Sequence, residues 1–227
     1  MCGIFGAISQ DVVSKEKLKT LVDHSRQRGK DSSGLIYFED GKYQVERADY
    51  DISKLLGKVK PFKSKVVLGH SRLITNGLTD NQPVIRNTIC VIHNGIIVNE
   101  KEIWDQLTLK REYQIDSEVI AAIAEQELLN DEPLENIPSK VLSLCKGIVA
   151  CALVLPEHGK LILFSNNGSL YIRYNGADIF FASERYSLEK VGAKYISQVK
   201  EESLILDIPL TSKKLFINDD VIRTEYD

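Results

Sequence analysis

Residues 147–155, GIVACALVL, are apolar at almost every position, and a short connection around Glu157-His158-Gly159 joins them to a second strand-length run, KLILF. A connection that short makes the two strands antiparallel neighbours. A strand apolar on both faces has to be covered on both faces. Stacked sheets flanked by helices satisfy both demands, so the pair predicts a layered α+β domain with antiparallel sheets.

The rest of the chain fits that frame. GLIYF, VVLGHS, TICVIHNGIIV, LYIRY, DIFFAS and LILDI are further runs of strand length, and Asn175-Gly176 marks a second hairpin between YIRY and DIFFA. After Ser14, a plausible cap, Leu18, Leu21 and Val22 fall on one helical face. DSEVIAAIAEQELL predicts a second helix capped by Asp116 or Ser117, and SKVLSLC, from Ser139, a third. No repeat and no Pro-rich or Ser-rich spacer interrupts the 227 residues, so residues 1–227 read as one domain.

Charge narrows the function classes. Twenty-nine basic and thirty-two acidic residues leave a net charge of -3 with no like-charge block. That argues against a nucleic-acid stripe or a membrane-surface patch, and a small molecule or another protein is the expected ligand. No run approaches a membrane span, and MCGIFGAI is too short and wrongly flanked for a secretory signal. A cytoplasmic location with reduced thiols is the expectation. The four cysteines contain no C-x-x-C pair, so neither a metal site nor any cofactor is expected. Cys90, Cys145 and Cys151 lie inside apolar segments, where a thiol behaves as a small buried hydrophobe.

Cys2 differs by its position. Removal of Met1 would place a thiol and an α-amino group on one residue, and that amine has a reference pKa of about 7.7 to 8.0. It can take the thiol proton and return it to a leaving amine, so no catalytic histidine is required. Four polar clusters accompany it: RQRGKDSSG at 26–34, GHSRLITNG at 69–77, HNG at 93–95 and IDSE at 115–118. His70 and His93 lie beside these clusters and read as histidines with satisfied structural hydrogen bonds. Trp104, in KEIWDQL, reads as a helix residue covering the core.

MCGIFGAI, QRGKDSSGL, HSRLITNG, HNGIIVNE and DSEVIA, in this order, resemble the glutaminase domain of class II glutamine amidotransferases, from Cys2 to about Ile208. This is the N-terminal nucleophile hydrolase group that includes glucosamine-6-phosphate synthase and amidophosphoribosyltransferase. The resemblance implies a four-layer αββα sandwich. It makes Cys2 the nucleophile that releases ammonia from the glutamine side chain through a thioester. Asn94, by its side-chain amide, and Gly95, by its backbone N–H, match the oxyanion hole. Arg72 matches the arginine that binds the substrate carboxylate, Asp116 the acid that receives its ammonium, and Thr75 and Gly77 residues lining the glutamine pocket. Arg28 and Gly29 match a pair that buttresses the N-terminal residue, with Asp31 structural.

Leu73, Ile74 and Asn76 depart from the synthase pattern of Trp, Ala and His, which bears on coupling to an acceptor site rather than on glutamine chemistry. The chain stops about twenty residues after the last family-like strand, and LTSKKLFINDDVIRTEYD offers one more hairpin and no second active site. A separate synthase subunit that consumes the ammonia is the expected partner. Two other readings stay open: a stand-alone hydrolase of another γ-glutamyl amide, and a non-catalytic regulatory relative.

Overall fold

The computed structural model describes residues 2–74, 80–192, 195–200, 202–208 and 215–220. In chain order the first half runs β1 (Gly3–Ile8), α1 (Lys15–Arg26), β2 (Ser32–Glu39), β3 (Lys42–Ala48), α2 (Ile52–Val59), β4 (Val66–Arg72), β5 (Val84–Arg86), β6 (Ile89–Ile97) and α3 (Glu100–Trp104). The second half runs α4 (Glu118–Leu129), α5 (Asn136–Leu144), β7 (Gly147–Leu155), β8 (Lys160–Ser165), β9 (Tyr171–Asn175), β10 (Asp178–Ala182), α6 (Arg185–Lys190), β11 (Ser197–Gln198), β12 (Leu204–Asp207) and β13 (Leu215–Asp220).

Both hairpins form as their turn residues dictate. β7 pairs antiparallel with β8, and β9 with β10 across Gly176, whose φ of 62° suits a residue without a Cβ. Ser14 caps α1 by accepting from the Lys17 N–H at 3.5 Å. Among the elements that were not anticipated, two stand out by their partners. One is β3, which completes a hairpin with β2. The other is α2, where the Asp51 carboxylate accepts from the N–H groups of Ser53 and Lys54 at 3.0 and 3.2 Å and so satisfies two orphan donors of the first turn. The third helix starts three residues earlier than its apolar pattern, with Pro138 in its first turn, where a missing N–H is harmless.

The strands form two sheets. One has eight strands in the order β11-β9-β10-β1-β4-β2-β3-β13, the other five in the order β12-β8-β7-β6-β5. Three separate apolar cores show how these stack. Ile4, Ile36, Leu68, Ile92, Ala152 and Leu163 fill the space between the sheets. Leu18, Leu21, Leu55, Val67 and Leu188 join α1, α2 and α6 to the outer face of the larger sheet. Val91, Ile120, Ile123, Val141 and Leu153 join α4 and α5 to the outer face of the smaller one. Three cores between successive layers make a four-layer αββα sandwich. The both-face burial read from GIVACALVL is thereby explained: alternate residues of β7 enter two different cores.

One expectation needs correction. The sheets are not wholly antiparallel, because β13 pairs parallel with β3 at the edge of the larger sheet. Most of the stretch expected to form a C-terminal hairpin lies outside the described residues. No helix among the described residues is long and apolar enough to cross a membrane.

Candidate active site

β1 and β4 run antiparallel with Gly3 opposite Ser71, so Cys2 and Arg72 come off the ladder at the same end of the sandwich. On β4, His70 and Arg72 share the face of Val66 and Leu68, which line the space between the sheets. On the facing sheet, Asn94 shares the face of Cys90 and Ile92, which line that same space. The strand period thus aims nucleophile, arginine and amide at one edge of the interlayer.

Cys2 sulfur lies 3.8 Å from the Leu73 carbonyl oxygen. Burial pushes its thiol above the ordinary value; the Arg72 charge partly offsets this, and Asp116 adds to it. A thiol so placed rests protonated and needs a base to react. Arg28 donates from Nε to the Cys2 carbonyl at 2.7 Å and pairs with Glu184 at 2.5 Å, so the backbone of the nucleophile is held from α1's end. Gly29 packs where a Cβ would strike the backbone of Arg72 and Leu73. Asp31 accepts from the Ile74 N–H at 2.8 Å, and its own N–H donates to the Arg72 carbonyl at 3.1 Å, so it serves the loop after β4.

Arg72 is nearly buried and donates from Nη1 to the Asp80 carbonyl. Burial pulls its guanidinium below the ordinary value, while Cys2, Asp116, Asp80 and Asp31 oppose the fall. Asp116, just ahead of α4, accepts from the Ile97 N–H at 2.8 Å through Oδ2. Cys2, Arg72 and Asp116 therefore sit within electrostatic reach of one another. Thr75 and Gly77 lie outside the described residues.

Asn94 is 1% exposed, and neither Nδ2 nor Oδ1 has a hydrogen-bond partner among the described residues. A buried primary amide left unpaired costs about 1–3 kcal/mol. Such a group is a donor held ready for something that is not part of the fold. Gly95 follows, and a Cβ there would overlap the Ile148 carbonyl oxygen, so the backbone approaches closely only because the side chain is absent.

The two histidines part company. His93 is satisfied, with Nδ1 2.9 Å from Ser117 Oγ and Nε2 3.1 Å from the Ile148 carbonyl. His70 is not: both ring nitrogens are buried without a hydrogen-bond partner among the described residues, and burial pulls it down to about 3. It stays neutral because desolvation, joined by the nearby Arg72 charge, outweighs the small opposing effect of the His93 backbone.

Residues that sequence reasoning missed hold this arrangement. Asp80 accepts from the N–H groups of Gln114 and Ile115, the latter at 3.2 Å, while its carbonyl receives Arg72; it ties the arginine to the segment that carries Asp116. Glu118, fully buried, pairs with Arg86 at 2.5 Å and accepts from the N–H groups of Glu112 and Tyr113, each at 2.8 Å. Arg86 also pairs with Glu125 at 2.7 Å and stacks 5.7 Å from Trp104, which packs against the helix-side core as expected. The only sequence sign of Asp80 was a polar run, Asp80-Asn81-Gln82, ahead of Pro83.

A family model described as a glutamine amidotransferase domain matches residues 70–190, which include Arg72, Asn94, Gly95 and Asp116. The chain belongs to this family. The class II glutamine amidotransferase assignment is carried further by relatives that extend over the N-terminal part. Glutamine–fructose-6-phosphate aminotransferase (isomerizing) of Zymomonas mobilis is 30% identical over 230 residues, covering 96% of this chain and 37% of that protein. The Aquifex aeolicus enzyme of the same name is 30% identical over 195 residues, covering 81% and 32%. The chain thus spans about a third of the length of these curated relatives.

Solved structures agree on the fold. The glutamine phosphoribosylpyrophosphate amidotransferase of B. subtilis superposes with a TM-score of 0.72 at 24% identity, over 91% of this chain and 47% of that one. An allosteric regulatory enzyme of purine biosynthesis gives 0.74 at 25%, with the same coverage. A glutamine aminotransferase class-II domain protein from Silicibacter pomeroyi gives 0.53 at 14%, over 92% of this chain and all of that one. The sandwich fold therefore accommodates wide sequence divergence.

Proposed function

We propose that residues 1–227 form one glutaminase domain in which Cys2, freed of Met1, hydrolyses the side-chain amide of glutamine. The α-amine takes the thiol proton as sulfur attacks the amide carbon, and the C–N bond breaks as that proton passes to departing ammonia. Water, activated by the same amine, then cleaves the thioester and releases glutamate. Asn94 and the Gly95 N–H stabilise the oxyanion of both tetrahedral intermediates, Arg72 pairs the α-carboxylate, Asp116 receives the α-ammonium, and Arg28 fixes the nucleophile's backbone. Thr75 and Gly77 line the pocket. The single observation that carries this reading is the Asn94 amide, buried without a partner among the described residues on the smaller sheet's inner face, across from the strand ends that carry Arg72 and Cys2.

The ammonia goes to a synthase domain or subunit, in the reducing cytoplasm that four free cysteines suit. Support for a partner comes from the aminotransferase relatives, which are far longer than this chain. It comes also from the exposed apolar side chains Leu73, Ile96, Val98 and Ile148 beside the site.

The test is glutamate release by Met-processed protein, with intact mass before and after an electrophilic glutamine analogue. One adduct is expected, and Cys2→Ala should remove it together with at least about 10⁴-fold of turnover while the fold persists. Labelling that survives in Cys2→Ala, or processed protein that never releases glutamate with or without its partner, overturns the reading. Faster turnover of another γ-glutamyl amide than of glutamine moves it to that substrate.

A further inference from the structure

β5 and β6 pair with Val84 opposite Val91, Ile85 opposite Cys90 and Arg86 opposite Ile89. Continued by two residues, that register brings Gln82 opposite His93, past the end of the ladder. The backbone of Gln82 does not complete the pairing: its carbonyl packs against Gly34 of β2, at a place where a Cβ would collide. Its side chain completes it instead. The His93 N–H donates to Gln82 Oε1 at 2.6 Å, and Gln82 Nε2 donates to the His93 carbonyl at 3.1 Å. One primary amide thus imitates a strand neighbour on the residue just before Asn94.

The second hydrogen on Nε2 has a defined destination. The Ile148 carbonyl can only accept, so His93 Nε2 carries the ring hydrogen, and Nδ1 of the neutral ring can only accept. The Ser117 hydroxyl lies 2.9 Å from Nδ1 and 3.4 Å from Asp116 Oδ1, and its hydrogen goes to the nearer acceptor, Nδ1. Ser117 Oγ is left to accept from Gln82 Nε2 at 3.2 Å. Burial holds His93 below its ordinary range, which keeps the ring neutral and every direction in this chain fixed. Gln82, His93 and Ser117 are each at most 3% exposed, so no water competes. The chain runs from β6 to Ser117, next to Asp116, and links the two ends of the site.

We propose that Gln82 is a positioning residue for amide hydrolysis, clamping the His93 backbone so that the Asn94 amide and the Gly95 N–H are held where the oxyanion forms. Among the described residues the Asn94 side chain has no hydrogen bond to orient it, so its direction is inherited from that backbone. This rests on the glutaminase reading above. A displacement of about 1 Å in such donors costs on the order of a hundredfold in rate.

The experiment uses the full chain carrying Gln82→Met, which keeps the volume and removes the amide. The expected result is a fall in kcat for glutamine of about tenfold or more with KM within about twofold, because oxyanion donors act in the transition state. Affinity for the γ-aldehyde analogue of glutamine should fall in parallel. There the Cys2 sulfur adds to the carbonyl carbon and the thiol proton ends on the carbonyl oxygen, giving a tetrahedral adduct. Amide hydrogen exchange at His93–Gly95 should accelerate. A folded Gln82→Met protein with wild-type kcat and unchanged exchange overturns the proposal, as does a loss in kcat and KM that only tracks the loss of folded protein. If Gln82→Met does not fold, Ser117→Ala carries the same test with a smaller split in the same direction, and its absence overturns the proposal. A wild-type protein inert toward glutamine refutes the glutaminase reading alone, since hydrogen exchange still decides the clamp.

Discussion

The two sheets hold their shares of the site in different ways. The smaller sheet presents Asn94 and Gly95 from inside a strand held by the buried, mutually bonded side chains of Gln82, His93 and Ser117. The larger sheet presents Cys2 and Arg72 from strand ends, steadied by loop contacts: Arg28 and half-exposed Glu184, Asp31 on Ile74, Asp80 on Arg72. The difference matches what the proposed reaction asks of each half. Groups that stabilise developing charge work best when no reorganisation accompanies the reaction. Groups that admit a substrate and release a product sit where local opening is inexpensive.

The comparison can be broken first at the rigid half. Asn94→Ala should lower kcat about 10²–10³-fold with little change in KM. It should also leave the melting temperature unchanged or raised, since it removes a buried amide that the fold leaves unpaired. Steady-state kinetics beside a thermal melt decide it; a clear loss of stability would mean that Asn94 serves the fold. At the loop-held half the signature reverses. Asp80→Ala keeps the backbone carbonyl that receives Arg72 but removes the carboxylate that accepts from Gln114 and Ile115 ahead of Asp116, and should raise KM for glutamine about tenfold with kcat moved less. An unchanged KM would detach Asp80 from recognition.

The unpartnered histidine gives a pH test between the sheets. Folded His70 is down at about 3 against 6.5 for the free group, so below pH 6.5 the unfolded chain binds a proton that the folded chain refuses. Its contribution is fully present above about 6.5 and is lost as pH falls toward 3, at about 1.4 kcal/mol per pH unit. Denaturant melts across pH 4 to 7 should show a slope that His70→Leu makes shallower by up to one proton; an identical slope would show that His70 is protonated in the fold. The smallest effect is expected at the surface. Glu184→Gln removes a half-exposed ion pair and should cost under about 1 kcal/mol by thermal melt, and a larger loss would mark the Arg28 contact as part of the rigid set.

What was legible depended on whether a signal was local. The GIVACALVL–KLILF hairpin, the Asn175-Gly176 turn and the Ser14 cap are set by neighbours in the chain, and each forms where it was read. Cys2, Arg72, Asn94 and Asp116 were legible because each sits in a short motif of unusual residues. α2 and β3 were passed over because each is short: ISKLLGKV sets Ile52, Leu55, Leu56 and Val59 on one helical face but spans only two turns, and KYQVERA has few apolar residues to mark a strand. Gln82 and Asp80 were invisible for another reason. Their partners are 11 to 35 residues away in the chain, and a polar run before a proline looks like any loop. His70 was misread because a histidine's partners cannot be counted from its own strand.

By itself the sequence determined the layered α+β class, the thiol at position two and the kinds of side chain the chemistry requires, because strand period, turn residues and motif composition are properties of adjacent residues. Tertiary structure alone decided that β13 closes the larger sheet in parallel, that Asn94 is left unpaired while His93 is bonded, and that one glutamine stands in for a missing strand. Those outcomes depend on which groups meet across two sheets, and a buried polar atom is satisfied or orphaned only by what folding brings against it.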